Sequence, residues 1–198
     1  MRVLLRTRGS EHEVLGFDMG PGNMVIDAAV DILSGERETM DRNDAWARRG
    51  TVLAGWLQEW LKHHYCALQP PKSTGREQFG RSYVVERLRD AEDADPAEIL
   101  RTLTVLGAES MVRGIRAAID APPALIASGG GSSNAPLMDE ISQRLSLLRP
   151  WETTEAYGIP ADLKDAVAFA YLAHQLFMRR PTGARRTHLQ GSITPARF

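Results

Sequence analysis

Two segments of this chain share one plan, and that plan limits the folds open to it. GFDMGPGNMVID, from Gly16 to Asp27, and ALIASGGGSSNAPLMDEISQRL, from Ala124, each run from a short apolar stretch through a glycine turn into a helical pattern. A strand that ends in glycines and feeds a helix exposes backbone N–H groups beside the positive end of the helix dipole, which is a cradle for anions and above all for phosphate. Glycine suits such turns because a side chain would block close approach and because some of them need positive φ. Neither turn carries the GK-Ser/Thr of a Walker loop, nor the G-x-G-x-x-G of a dinucleotide site.

The rest of the chain alternates in the same way. Met1–Leu5 and Val14–Phe17 flank the polar RTRGSEHE and predict a strand hairpin that ends at Asp18. Asn23 is placed as the N-cap of a helix through Met24, Val25, Ala28, Ala29, Ile32 and Leu33, with Asp27 as a cap or solvent-facing residue. TVLAGWLQEWLKHHY predicts a second helix, and ALQPPKSTGREQFG a long loop. Pro96 marks the first turn of a long helix through Ile99, Leu103, Leu106, Met111, Ile115 and Ala118, closed by Pro122 and Pro123. Ala124–Ala127 predicts a strand, Ser132, Ser133 and Asn134 are cap candidates for the next helix, and WETTEAYGIPADLKDAVAFAYLAHQLF predicts a strand, a turn and an apolar helix from about Pro160. Strands alternating with helices make this an α/β domain.

Asp18 has two readings. It can hydrogen-bond its own turn, as Asp before glycine often does. It can also serve as a carboxylate beside a phosphate cradle, taking a proton from an attacking hydroxyl or water. His63 and His64 have no carboxylate or cysteine at metal-ligand spacing and read as surface or packing residues; no protein metal site is expected. Trp46, Trp56 and Trp60 read as core or interface residues, and Arg179, Arg180, Arg185 and Arg186 as a solvated basic tail.

A net charge of -1 gives no bias towards nucleic acid or an acidic membrane surface. Cys66 is the sole cysteine, which excludes an internal disulfide and fits a reducing compartment. No apolar run reaches the length of a membrane span, and MRVLLRTRG lacks the pattern of a signal peptide. The expected location is the cytoplasm, with neither nucleic acid nor membrane as a partner.

GFDMGPGNMVIDA, PPKSTGREQF, ASGGGSSNAPLM and GIPADLKDAVAFAYLA resemble, in order and spacing, the motifs of the anhydro-N-acetylmuramic acid kinases, over a stretch from about Val3 to Pro195. The resemblance implies an actin-like ATPase (ribonuclease H-like) lobe of the sugar kinase, Hsp70 and actin superfamily, an α/β fold with a mixed sheet flanked by helices. It implies ATP and Mg²⁺ as cofactors and an anhydro-amino-sugar as substrate: the family opens the 1,6-anhydro ring with water and phosphorylates the 6-oxygen. By the same resemblance Asp18 is the general base on the attacking water. Gly20, Gly22 and Asn23 lie beside the ATP phosphates; Ser128, Gly129, Gly130 and Gly131 accept the adenosine side, and Asn134 caps its helix or touches the nucleotide. Asp165 stands close to the sugar, with Asp162 as a helix cap. Lys72, Ser73, Thr74, Gly75, Arg76 and Glu77 match a family signature; Arg76 binds phosphate or a carboxylate, or pairs with Glu77 to brace the loop.

Three departures qualify the match. Met19 stands where the family has Thr, removing a hydroxyl that could bond phosphate or the loop. The GTSxDGxD phosphate loop is absent, since the sequence holds no Asp-Gly dipeptide, and the sugar-binding and arginine-rich segments of the N-terminal lobe are absent as well. Residues 1–198 are therefore expected to form a C-terminal nucleotide-binding lobe without its N-terminal lobe, as a homodimer or in association with that lobe. The alternative is a non-catalytic remnant that binds nucleotide or dimerises.

Overall fold

The computed structural model describes residues 2–8, 11–91, 93–119, 122, 124–147 and 149–182. Arg185 and Arg186 lie outside them. Strands β1 (Arg2–Arg8) and β2 (Glu11–Asp18) form the expected antiparallel hairpin, with Arg2 opposite Asp18 and an irregularity between Arg2 and Leu4. Helix α1 (Asn23–Leu33) follows the first glycine turn. The second helix pattern breaks into α2 (Ala54–Trp60) and α3 (His64–Ala67), because the His63 side chain accepts a hydrogen bond from the Tyr65 N–H and starts a new helix there. Next come α4 (Arg76–Phe79), α5 (Arg81–Arg89) and the long α6 (Pro96–Ala118). Asp95 caps α6 by accepting from the Ala97 N–H at 2.8 Å, with Pro96 in the first turn as expected.

The strand predicted over Ala124–Ala127 shortens to β3 (Ile126–Ala127), which pairs in parallel with β4 (Glu152–Thr153). Between them lies α7 (Ala135–Leu145); α8 (Lys164–Phe177) follows a 3-10 turn over Ala161–Leu163. The α/β class stands, but among the described residues the strands make two separate pairs rather than one mixed sheet. Asp162 does not cap α8, whose N-cap position is Leu163 without a side-chain bond.

Helix α6 is the spine. Its first half sends Ile99, Leu100, Leu103 and Leu106 into a cluster with Val25, Ile26, Ala29 and Val30 of α1, plus Trp60, Tyr65, Phe79 and Tyr83. Its second half sends Ala108, Met111, Val112 and Ile115 against Phe17, Met19, Leu137, Met138 and Ile141. Each fully buried side chain of this size is worth about 1.5–3 kcal/mol of burial, so α6 fixes the ends of both glycine turns relative to one another. Trp46 and Trp56 pack half-buried against the first cluster, and His63 lies against Phe79, its ring centroid 4.9 Å away. Helix α8 differs from the rest: Gln175 is its buried residue, while Phe169, Tyr171 and Phe177 are exposed. No helix among the described residues is long and apolar enough to cross a membrane.

Candidate active site

The pleat of β2 decides where Asp18 points. Side chains on a strand alternate between faces, and Phe17 and Met19, its neighbours on either side, are both buried in the second core cluster. Asp18 is turned away from them into a cleft of about 470 Å³ lined by Gly16, Phe17, Asp18, Pro71, Lys72 and Ser73. The residue itself is 6% exposed. A buried carboxylate is costly unless it is hydrogen-bonded. Here Ser73 Oγ donates to Asp18 Oδ2 at 2.9 Å and the Thr74 N–H donates to the same oxygen at 3.1 Å. These donors come from the KSTG loop, 55 and 56 residues along the chain, and not from Asp18's own turn.

That loop is tied to the strand end at further points. The Asp18 N–H donates to the Lys72 carbonyl at 3.0 Å. Tyr65 donates its hydroxyl to the Asp18 carbonyl at 2.8 Å, and Lys72 Nζ donates to the Tyr65 carbonyl at 3.1 Å while lying 4.7 Å from the Tyr65 ring centroid. Burial, with the Asp18 charge adding to it, pushes the Tyr65 phenol up to about 12, so it stays a neutral donor at any ordinary pH. Burial also holds the Lys72 amine below its usual value. No sequence pattern marks Tyr65 as part of this site, because it acts through a hydroxyl reaching back 47 residues.

The first glycine turn is built against α6. Gly20 has φ +132°, and a Cβ there would meet Ser110 Oγ at 2.2 Å; Ser110 in turn donates to the Met19 carbonyl at 2.8 Å. Gly20 and Gly22 are buried. Gly22, not Asn23, is the N-cap of α1, and it offers no side-chain bond; the first turn carries no acid. The first turn of α1 thus leaves its positive end without a side-chain cap or an acid of its own. The second turn is more open. Gly130 is exposed, Ser128, Gly129 and Gly131 are half-buried, and a Cβ on Gly129 or Gly130 would meet nothing within 4 Å. Gly129 has φ +78°, and its N–H is taken by the Ala161 carbonyl at 3.0 Å.

A pair of amides joins the two turns. Asn134 caps α7 by accepting from the Leu137 N–H at 3.0 Å, and its Nδ2 donates to Asn23 Oδ1 at 2.8 Å. Asn23 passes the contact on, its own Nδ2 donating to both carboxylate oxygens of Asp27 at 3.0 and 3.1 Å. Asp27 is therefore not a cap, and it is half-buried rather than fully solvent-facing; burial raises its carboxyl above the usual value, and the Asn23 bond works against that rise. Segments 111 residues apart in the sequence meet here.

Two predicted substrate residues lie apart from this geometry. Asp165 is exposed at the start of α8 and pairs with Lys164. Arg76 is exposed at the first position of α4, and among the described residues no ion pair joins it to Glu77. No trio of His, Cys, Asp or Glu suited to a metal occurs among the described residues.

The family model described as "Anhydro-N-acetylmuramic acid kinase" matches residues 7–196. The chain belongs to the anhydro-N-acetylmuramic acid kinase family. A protein of that name from Trichormus variabilis is 39% identical over 197 residues, covering 95% of this chain and 50% of the relative. One from a Cyanothece species is 40% identical over 189 residues, 91% of this chain and 50% of the relative. A third, from Caldanaerobacter subterraneus subsp. tengcongensis, is 36% identical over 203 residues, 97% of this chain and 51% of the relative. The chain spans about half the length of these curated relatives. Asp18, both glycine turns and the KSTG loop all fall within the matched residues.

Proposed function

We propose that this chain is the nucleotide-binding C-terminal lobe of a kinase that opens the 1,6-anhydro ring of anhydro-N-acetylmuramic acid with water and phosphorylates its 6-oxygen. The observation that carries the reading is Asp18, an in-turned carboxylate at a strand end, with Ser73 and Thr74 donating to it beside the turn that starts α1. Asp18 takes a proton from water as the water oxygen bonds to the anomeric carbon. The bond from that carbon to the 6-oxygen breaks, and the 6-oxygen receives the γ-phosphoryl group of ATP. The products are the 6-phosphate of the opened sugar and ADP, with the proton left on Asp18.

The α1 N-terminus supplies positive dipole for phosphate, and the open Gly129–Gly130 backbone lets a ligand approach closely. Gly20 and Gly22 shape the first turn from within, while Asn23 and Asn134 set its distance from the second. Mg²⁺ would be brought by ATP and held by its phosphate oxygens and by water, where it would neutralise phosphate charge; Asp18 serves the attacking water and is not a ligand of the ion. Asp165 and Arg76 face the sugar or its carboxylate only in a completed cleft. The site works in the cytoplasm, where ATP is supplied.

Positioning and electrostatics carry phosphoryl transfer, so this chain alone binds adenine nucleotide weakly and does not turn over. The test joins it to the first half of the Trichormus relative and compares Asp18 with Asp18→Asn. The amide keeps the size but cannot take the proton, and turnover falls by roughly two to four orders of magnitude while nucleotide affinity survives. Near-equal turnover would reduce Asp18 to a bracing residue. Phosphorylated sugar produced by the isolated chain would overturn the claim of inactivity.

A further inference from the structure

We propose that Ser73 is a positioning residue for Asp18: its hydroxyl, together with the Thr74 N–H, sets the rotation of the Asp18 carboxylate and favours its ionised form. The inference rests on the reading of Asp18 as the base, and it assigns a role to the KSTG loop.

The loop does not need Ser73 to stay closed. It is already fastened by the Asp18 N–H on the Lys72 carbonyl, by Lys72 Nζ on the Tyr65 carbonyl, and by Thr74 Oγ1, which donates to Gln78 Oε1 at 2.7 Å. Ser73 is itself exposed, so its side chain contributes little to the core. What it does contact is Asp18 Oδ2. The last torsion of an Asp side chain is broad and roughly two-fold, so a carboxylate without fixed donors samples many rotations. Two donors converging on one oxygen from the same loop select one rotation, and the other oxygen then has a defined direction. Hydrogen bonds to the charged form favour that form. A base held ionised and in one orientation begins each cycle ready to take a proton.

Carbon-13 labelled aspartate in the intact chain gives a direct readout, because the Asp18 carboxyl signal can be followed by NMR as pH is changed. Among the described residues, Tyr65, bonded to the Asp18 carbonyl, and Lys72, which shares the cleft, face Asp18 from the neighbouring α3 and loop. Both are kept in every variant. Ser73→Ala moves the Asp18 midpoint upward by roughly one pH unit, and Ser73→Thr, which restores a hydroxyl, returns it most of the way. In the chain joined to the first half of a relative, Ser73→Ala lowers turnover by roughly tenfold with nucleotide affinity unchanged, and adds nothing to Asp18→Asn. An unmoved midpoint in Ser73→Ala overturns the proposal whatever Asp18→Asn does. A moved midpoint with normal turnover in Asp18→Asn supports the contact and overturns the reading of Asp18 as base.

Discussion

Replacing Asn134 separates two functions that one side chain performs. Asn134→Ala removes the cap on α7 and the bond to Asn23 together. Loss of an N-cap costs about 1 kcal/mol, and loss of a half-buried neutral hydrogen bond about another 1 kcal/mol, so the variant is destabilised by about 2 kcal/mol. Asn134→Ser keeps a good cap but is too short to reach Asn23, so it loses only the second part. For a chain of this length each kcal/mol shifts the melting midpoint by about 2–4 °C, which predicts a fall of roughly 4–8 °C for Ala and half that for Ser. Because α6 runs through both core clusters, one cooperative transition is expected, and urea midpoints give the same ranking. A double-mutant cycle with Asn23→Ala then reads the link between the glycine turns directly. Its coupling should be about 1 kcal/mol. Equal losses for Ala and Ser, or a coupling near zero, would refute the idea that these two amides hold the turns in register.

Gly20→Ala meets both a positive φ and the Ser110 hydroxyl, so it costs about 1–3 kcal/mol from backbone strain alone, whereas Gly16→Ala, where a Cβ meets nothing within 4 Å, is near neutral in the same denaturation assay. The raised carboxyl of Asp27 makes a signed prediction. Its unfolded form ionises near 3.8 and its folded form higher, so stability is lost as pH rises through that interval, and Asp27→Asn stabilises the chain at neutral pH but not below 3.8. Burial lowers His63 from its ordinary 6.5, and its Nδ1 must stay unprotonated to accept from Tyr65, so stability falls as pH drops below about 6.5. His63→Asn keeps an accepting cap without the titration and flattens that part of the pH profile.

The parts legible in the sequence are those built from neighbours. The hairpin followed from two apolar stretches around a polar turn, and α6 from Pro96 and a long apolar repeat. Asp18 stands out because it sets a carboxylate at a strand end beside a glycine turn that feeds a helix. What was not legible depends on residues far apart. Ser73 and Thr74 reach Asp18 only after the chain has folded back over 55 residues. The cap of α1 falls on Gly22 rather than Asn23, whose amide is drawn between Asn134 and Asp27. The break between α2 and α3 has the same origin, since His63 leaves the helical path to cap Tyr65 and lie on Phe79.

Met19 shows how the strand pleat protects the site from a change beside it. In place of the family's Thr it removes a hydroxyl, and from the sequence that loss threatened a contact to phosphate or to the loop. Yet Met19 lies just past the end of β2, where the alternation of the strand carries on, so its side chain goes to the face opposite Asp18 and into the second core cluster. There it is 6% exposed and packs over α6 at Gly114, where an added Cβ would come within 2.7 Å of Met19 Cγ. The contact the first turn needs from this residue is its backbone carbonyl, which accepts from Ser110 whatever the side chain is. A hydroxyl at this position would face α6 and not the cleft. Met instead adds apolar burial worth about 1.5–3 kcal/mol, in a groove that the absence of a side chain at Gly114 leaves deep enough to hold it.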